Sequence, residues 1–163
     1  MKKLLSMILA ATAVLALYIP AFAADDIQEE SYTVVVDGQT IDLGDLPVSP
    51  YKQGSTVMVP LRKIGEALGY KVDWDPETNA ITIDDEYIQK ATLFDGTAAA
   101  VFEGRLQIIN MSREIENEAA TVVHDGYTYV PLEFFTEFFN DTAIDGSHIT
   151  IAPSRCEIQT DIR

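Results

Sequence analysis

The stretch Val57-Met58-Val59-Pro60-Leu61-Arg62-Lys63-Ile64-Gly65-Glu66-Ala67-Leu68-Gly69-Tyr70-Lys71-Val72-Asp73-Trp74-Asp75-Pro76-Glu77-Thr78-Asn79-Ala80-Ile81-Thr82-Ile83 decides how the chain folds. With Thr56 it opens as a short strand stopped by Pro60. From there the period changes: Leu61, Ile64 and Leu68 fall at i, i+3 and i+7, with Arg62, Lys63 and Glu66 between them, the pattern of an amphipathic helix. Pro60 suits the first helical turn, where a missing N–H costs no hydrogen bond, and Gly69 suits the left-handed position that ends a helix. Tyr70 to Trp74 alternates apolar and polar residues, Asp75 to Asn79 makes a turn, and Ala80 to Ile83 returns as the second arm of a hairpin.

The order recurs downstream. Gly126 to Leu132 answers Gly54 to Leu61, with Pro131 in the place of Pro60. The helix expected next carries Leu132, Phe135, Phe138 and Phe139 on one face, and Ile149-Thr150-Ile151 answers Ile81-Thr82-Ile83. The fold class expected is therefore α+β: an antiparallel sheet packed on a helix, in a duplicated strand, helix, hairpin unit covering residues 32–83 and, more divergently, 84–152. Upstream, Tyr32 to Ile41 has β-branched runs on either side of Asp37-Gly38, a hairpin signal. Leu43 to Gly54, with Pro47 and Pro50, reads as a loop. Ile88 to Gln107 supplies further strands with Asp95-Gly96 and Glu103-Gly104 as turns, and Asp84-Asp85-Glu86 reads as a hinge between the units.

The ends carry other signals. Lys2 and Lys3, the apolar run Leu4 to Ile19 and Ala21-Phe22-Ala23 form the three regions of a cleavable signal peptide over residues 1–23. The apolar run is short of the roughly 20 residues a spanning helix needs. Residues 24–31 read as an acidic, solvated leader, and residues 153–163 as a loose tail. The 163-residue chain has a formal charge of −15, made more negative by loss of Lys2 and Lys3. Such an acidic chain repels phosphate backbones, which excludes nucleic acid, and it disfavours anionic lipids and wall polymers. Cys156 is the single cysteine, so no internal disulfide forms; it is either incidental or pairs between chains. A secreted or cell-wall-associated product, with no membrane insertion after signal cleavage, is the expectation.

The long string from Val57 to Ile83 resembles the copper amine oxidase N-terminal (stalk) domain family in its Val-Pro-Leu-Arg, its helix ending in Leu-Gly, its Val-x-Trp-Asp and its Ile-Thr-Ile strand. Pro60, Arg62, Gly69, Trp74, Asp75 and Pro131 are the motif positions, read as structural. The second unit departs from the pattern, with Glu133 for the arginine, Asn140-Asp141 for Leu-Gly, and no tryptophan. The resemblance implies a stalk and not the oxidase. The family's catalysis belongs to a separate large domain with a tyrosine-derived quinone and histidine-held copper, and this chain has two histidines, His124 and His148. No cofactor is expected.

Each candidate for chemistry has a plainer reading beside it. Asp73, Asp75, Glu77 and Asn79 alternate like a calcium loop, but Pro76 and Thr78 stand where the loop geometry is set, so an acidic turn is preferred. Arg62 has Glu66 one turn on and the Asp73–Asp75 strand nearby, so an internal ion pair is preferred over anion recognition. Trp74 is a possible sugar-stacking platform, as are Tyr127 and Tyr129, but Val72 two residues before Trp74 points to core packing. Phe134, Phe135, Phe138 and Phe139 exceed a single apolar stripe, so the helix is either enclosed or meets a partner, and they are the candidate interface. No serine has a nucleophile-elbow context, and with 26 acids a carboxylate pair at glycosidase spacing would arise by chance. The function expected is a secreted, non-catalytic, stalk-like module for binding or scaffolding at the bacterial cell surface, its partner an unnamed protein or the cell wall. The alternatives are an accessory to a cell-wall or glycan hydrolase, or a protein-binding inhibitor using the Phe-rich helix.

Overall fold

The computed structural model describes residues 27–28, 31–105 and 112–154. The expected signal peptide, Cys156 and all but the start of the expected tail lie outside them. In chain order the elements are β1 (Ile27–Gln28), β2 (Thr33–Val36), β3 (Gln39–Thr40), β4 (Tyr51–Gln53), β5 (Thr56–Pro60), α1 (Leu61–Ala67), β6 (Lys71–Asp75) and β7 (Ala80–Asp84). There follow β8 (Gln89–Phe94), β9 (Ala99–Gly104), β10 (Ser112–Glu116), β11 (Val122–His124), β12 (Tyr127–Pro131), α2 (Glu133–Glu137), β13 (Asn140–Asp145) and β14 (His148–Pro153).

The strands form three sheets, ordered β1-β4-β5-β12-β11, β10-β9-β8-β7-β6 and β13-β14-β2-β3. The chain is thus mainly β, with helices of only seven and five residues, which corrects the α+β expectation. The physical reason is length. The apolar spacing after each proline sustains two turns at most, while segments read as loop or left unassigned pair as strands: β4 inside Leu43–Gly54, then β10 and β11. Nor is every pairing antiparallel, because β14 runs parallel to β2, Ile149 opposite Val34 and Ile151 opposite Val36.

Local chemistry accounts for the turns. Asp37 and Gly38 both take positive φ, 46° and 79°, as a two-residue hairpin requires. Asp85 is no hinge: its Oδ1 accepts the amides of Tyr87, Ile88 and Gln89, closing the tight link between β7 and β8, which pair from Ala80–Phe94 to Asp84–Lys90. Glu103 and Gly104 are not a turn but the end of β9, paired with Lys90 and Gln89. Ile27 and Gln28 of the supposed solvated leader pair with Gln53 and Lys52.

One core takes residues from both halves of the sequence: Val34, Val59, Leu61, Ile64, Ile83, Leu93 and Phe102 meet Val130, Phe134, Phe135, Phe138, Ile149 and Ile151. All five residues of β5 are buried because both its faces are covered. Val57 and Val59 face the main core, and Met58 faces a smaller cluster with Tyr51 and Tyr129. The helix α1 lies close on its sheet. A methyl group on Gly65 would come within 2.9 Å of Val72 Cγ2 and 3.1 Å of Ile83 Cδ1, so only glycine admits this approach.

Candidate functional site

A cavity opens beside α1. Val72 opposes Ile83, and Trp74 opposes Ile81, so all four side chains share the inward face of the β6–β7 hairpin. Gly65 sets α1 directly on the Val72–Ile83 pair. The next pair lies beyond the helix, and there the layers part into an open groove of about 820 Å³, lined by Arg62, Val72, Asp73, Trp74, Asn79, Ile81, Phe94, Asp95, Val123, Gly126, Tyr127 and Thr128. Val72 and Ile81 remain buried at its floor, whereas Trp74 is 56% exposed. The expectation that Trp74 packs into the core is therefore wrong. Its side of the strand was read correctly, but the covering layer ends one residue pair too soon.

Polar side chains fix the groove's edges. The outer edge of β6 and that of β11 are both sheet margins, whose unpaired backbone groups would otherwise face the cavity. Arg62 Nη1 donates to the Val72 carbonyl at 2.7 Å, and Asp95 Oδ1 accepts the Val123 amide at 2.9 Å. Arg62 Nη1 also lies 3.5 Å from Glu66 Oε1 in the exposed i, i+4 ion pair. Its expected acidic partners on β6 are engaged elsewhere: Asp73 with Lys71 at 3.0 Å, and Asp75 with the Thr78 hydroxyl at 2.7 Å and the Glu77 amide at 2.9 Å. Those two bonds, Thr78 foremost, hold the Asp75 carboxyl below its ordinary range. Asp75 is thus a turn-former. Among the described residues no three His, Cys, Asp or Glu side chains converge as a metal site.

The remaining motif residues stand at the ends of elements. Pro60 ends β5 and precedes α1, and Pro131 pairs with Met58 at the end of β12. Gly69, at φ +83°, ends α1. The Phe-rich helix is a correction. Phe134, Phe135 and Phe138 are fully buried, Phe134 and Phe138 against Phe102 at ring separations of 5.7 and 6.1 Å, and only Phe139 is exposed, at 48%. They exceed a single stripe because the helix is enclosed by the shared core, not because it awaits a partner.

A second polar group lies apart from the groove. The Tyr51 hydroxyl meets His124 Nε2 at 3.3 Å, the Tyr129 hydroxyl donates to the Val48 carbonyl, and burial raises the pKa of both tyrosines. Tyr129, offered as a stacking residue, is instead wholly buried. Of the groove residues, Phe94 and Asp95 were missed as a site. The available signal was Phe94 itself, an aromatic at an outward position of a strand whose buried residues alternate as Gln89, Ala91 and Leu93.

Comparison with known proteins follows the same lines. The model of the copper amine oxidase N-terminal domain matches residues 35–151; the match is to that domain and not to the family's catalytic one. A Brevibacillus choshinensis protein named "Protease inhibitor" is 29% identical over 154 residues, which cover 93% of this chain and 43% of the relative, so the chain spans less than half of that protein's length. No solved structure gives a significant match.

Proposed function

Because the chain belongs to the copper amine oxidase N-terminal domain family, we propose that it is a secreted, non-catalytic binding module that works at the bacterial cell surface through the groove beside Trp74. The observation that carries this reading is the exposure of the chain's single tryptophan over a floor of buried aliphatic residues. A large apolar side chain left half-uncovered beside convergent polar groups is the ordinary form of a small-ligand site, and about 820 Å³ lies within the usual size range. Secretion rests on the basic, apolar and Ala21-Phe22-Ala23 pattern of residues 1–23. N-terminal sequencing of exported protein should begin at Ala24. The same reading takes residues 32–83 and 84–152 as unequal copies of one unit. It is supported by the sequence of strand, helix and hairpin in β5-α1-β6-β7 and again in β12-α2-β13-β14.

The test is retention of residues 24–163 on isolated cell-wall sacculi, compared with Trp74→Ala. Retention of the parent and its loss in the variant support the proposal; equal retention, or none, refutes it.

A second reading, a protein-binding inhibitor, is favoured by the name of the Brevibacillus relative. Its surface cannot be the aromatic face of α2, which is inside the core. Stoichiometric inhibition of a secreted protease by the purified chain would move the assignment there.

A further inference from the structure

Resting on the reading of the groove as the binding site, we infer that its ligand is an uncharged oligosaccharide, stacked on Trp74 and held by side chains. Three features of the groove lead to this class. The first concerns its edges. An extended peptide is captured most readily by adding a strand to a free sheet margin, through backbone N–H and C=O groups. Here the Val72 carbonyl is occupied by Arg62 and the Val123 amide by Asp95. One main-chain group on each side of the groove is thus taken by a side chain, which leaves less of the margin for strand addition and favours recognition by side chains.

The second feature is the form of the surface that remains. An aromatic face beside buried Val72 and Ile81 suits a flat apolar face, and Trp74 makes no contact with another ring among the described residues, so that face is open. Around it stand the carboxylate of Asp95, the amide of Asn79 and the hydroxyl of Thr128. These groups donate and accept in the pairs that ring hydroxyls need. A pyranose combines an apolar face of C–H groups with an equatorial rim of hydroxyls, and matches both.

Charge is the third. The guanidinium in the wall is already shared between Val72 and Glu66, and Asp73 is paired with Lys71, which leaves the carboxylate of Asp95, on a chain with a net charge of −15. Phosphate- or uronate-bearing polymers are repelled from such a site.

The single tryptophan makes the test direct. The protein, residues 24–163, is titrated with the N-acetylglucosamine tetramer and with cellotetraose while Trp74 emission is followed, and heats are measured in parallel. A saturable blue shift with either sugar is expected, with loss of the binding heat in Trp74→Ala. Asn79→Gly, which removes the amide while admitting the left-handed backbone of that turn (φ 58°), should weaken affinity about three- to tenfold, the effect of one lost hydrogen bond. No shift and no heat, with sacculi still retained through Trp74, would overturn the sugar assignment while leaving surface binding intact. The wall's peptide would then be the target. Sacculus retention that is absent, or indifferent to Trp74→Ala, would remove both. Binding of sugar that is unaffected by Trp74→Ala would also overturn the inference, since it would place the ligand elsewhere.

Discussion

At the end of α1, Gly69 turns left-handed at φ +83°, and two backbone bonds close the helix: Gly69 N–H to the Glu66 carbonyl at 3.0 Å and Tyr70 N–H to the Gly65 carbonyl at 2.7 Å. At the end of α2 the left-handed residue is Phe139, at φ +60°. Its N–H reaches the Thr136 carbonyl at 3.1 Å, but the carbonyl of Phe135 is met by a side chain, Asn140 Nδ2 at 3.1 Å. The same amide serves the Phe138 carbonyl at 3.0 Å. Both ends satisfy the free carbonyls that every helix leaves, one with glycine and main chain, the other with a buried asparagine. The substitution draws in the first half too, because Asn140 Oδ1 accepts the Tyr70 hydroxyl at 2.8 Å. What looks in sequence like decay of a Leu-Gly motif is a different cap, completed by a residue seventy positions away.

Breaking that cap should have the largest effect. Asn140→Ala orphans two carbonyls and the Tyr70 hydroxyl at a site only 2% exposed, and should cost about 3 kcal/mol in urea unfolding. Tyr70→Phe should cost less than half of that. A loss below about 1 kcal/mol for Asn140→Ala would show that the asparagine does not replace the glycine cap. Gly65→Ala distinguishes the helices by packing. Helix propensity favours alanine by about 1 kcal/mol, yet the methyl contacts with Val72 and Ile83 should reverse the sign, for a net loss of about 1 kcal/mol.

The glycine cap itself is a test of similar size. Gly69→Ala should destabilise by about 1 kcal/mol because of its positive φ, whereas Phe139→Gly should change stability by only about 0.5 kcal/mol. In that variant relief of the backbone is offset by a freer unfolded chain and by the loss of a ring that lies 5.9 Å from the Arg113 guanidinium. Acid provides the mildest probe. Burial tends to raise the pKa of Asp84, but Arg105 and the Glu86 amide outweigh it and hold the carboxyl below its ordinary value. A depressed folded-state value contributes stability above the unfolded value of about 3.9 that is lost as pH falls through the folded one. Urea midpoints measured downward from pH 6 should therefore converge for the parent and Asp84→Asn as the pH falls through and below that unfolded value.

Much of the first half was legible because its signals are local. Pro60, the Leu61–Ile64–Leu68 spacing, Gly69, the Asp75–Asn79 turn and Asp37-Gly38 each state their own geometry. What failed depended on distant partners. Trp74 obeyed its alternation, but whether anything covers that side is set by where Gly65 lets α1 lie. The four phenylalanines declared a wide apolar surface without saying that Phe102, on another sheet, would cover it. Similarly, β4, β10 and β11 are short strands whose existence depends on the neighbours they pair with. The groove was half-visible: Trp74 and Tyr127 were weighed for stacking, while Asp95 and Phe94 entered only when topology brought the end of β8 beside the β6–β7 hairpin.

The parallel pairing of β14 with β2 also joins the two ends of the described fold. Strand β2 emerges from the ribosome early, with β3 as its only hairpin partner, and its other neighbour is the last strand described. Val34 and Val36, buried in the shared core, have Ile149 and Ile151 beside them in that sheet. Contacts this distant in sequence slow folding. The β13-β14-β2-β3 sheet therefore cannot be completed from either half of the sequence alone.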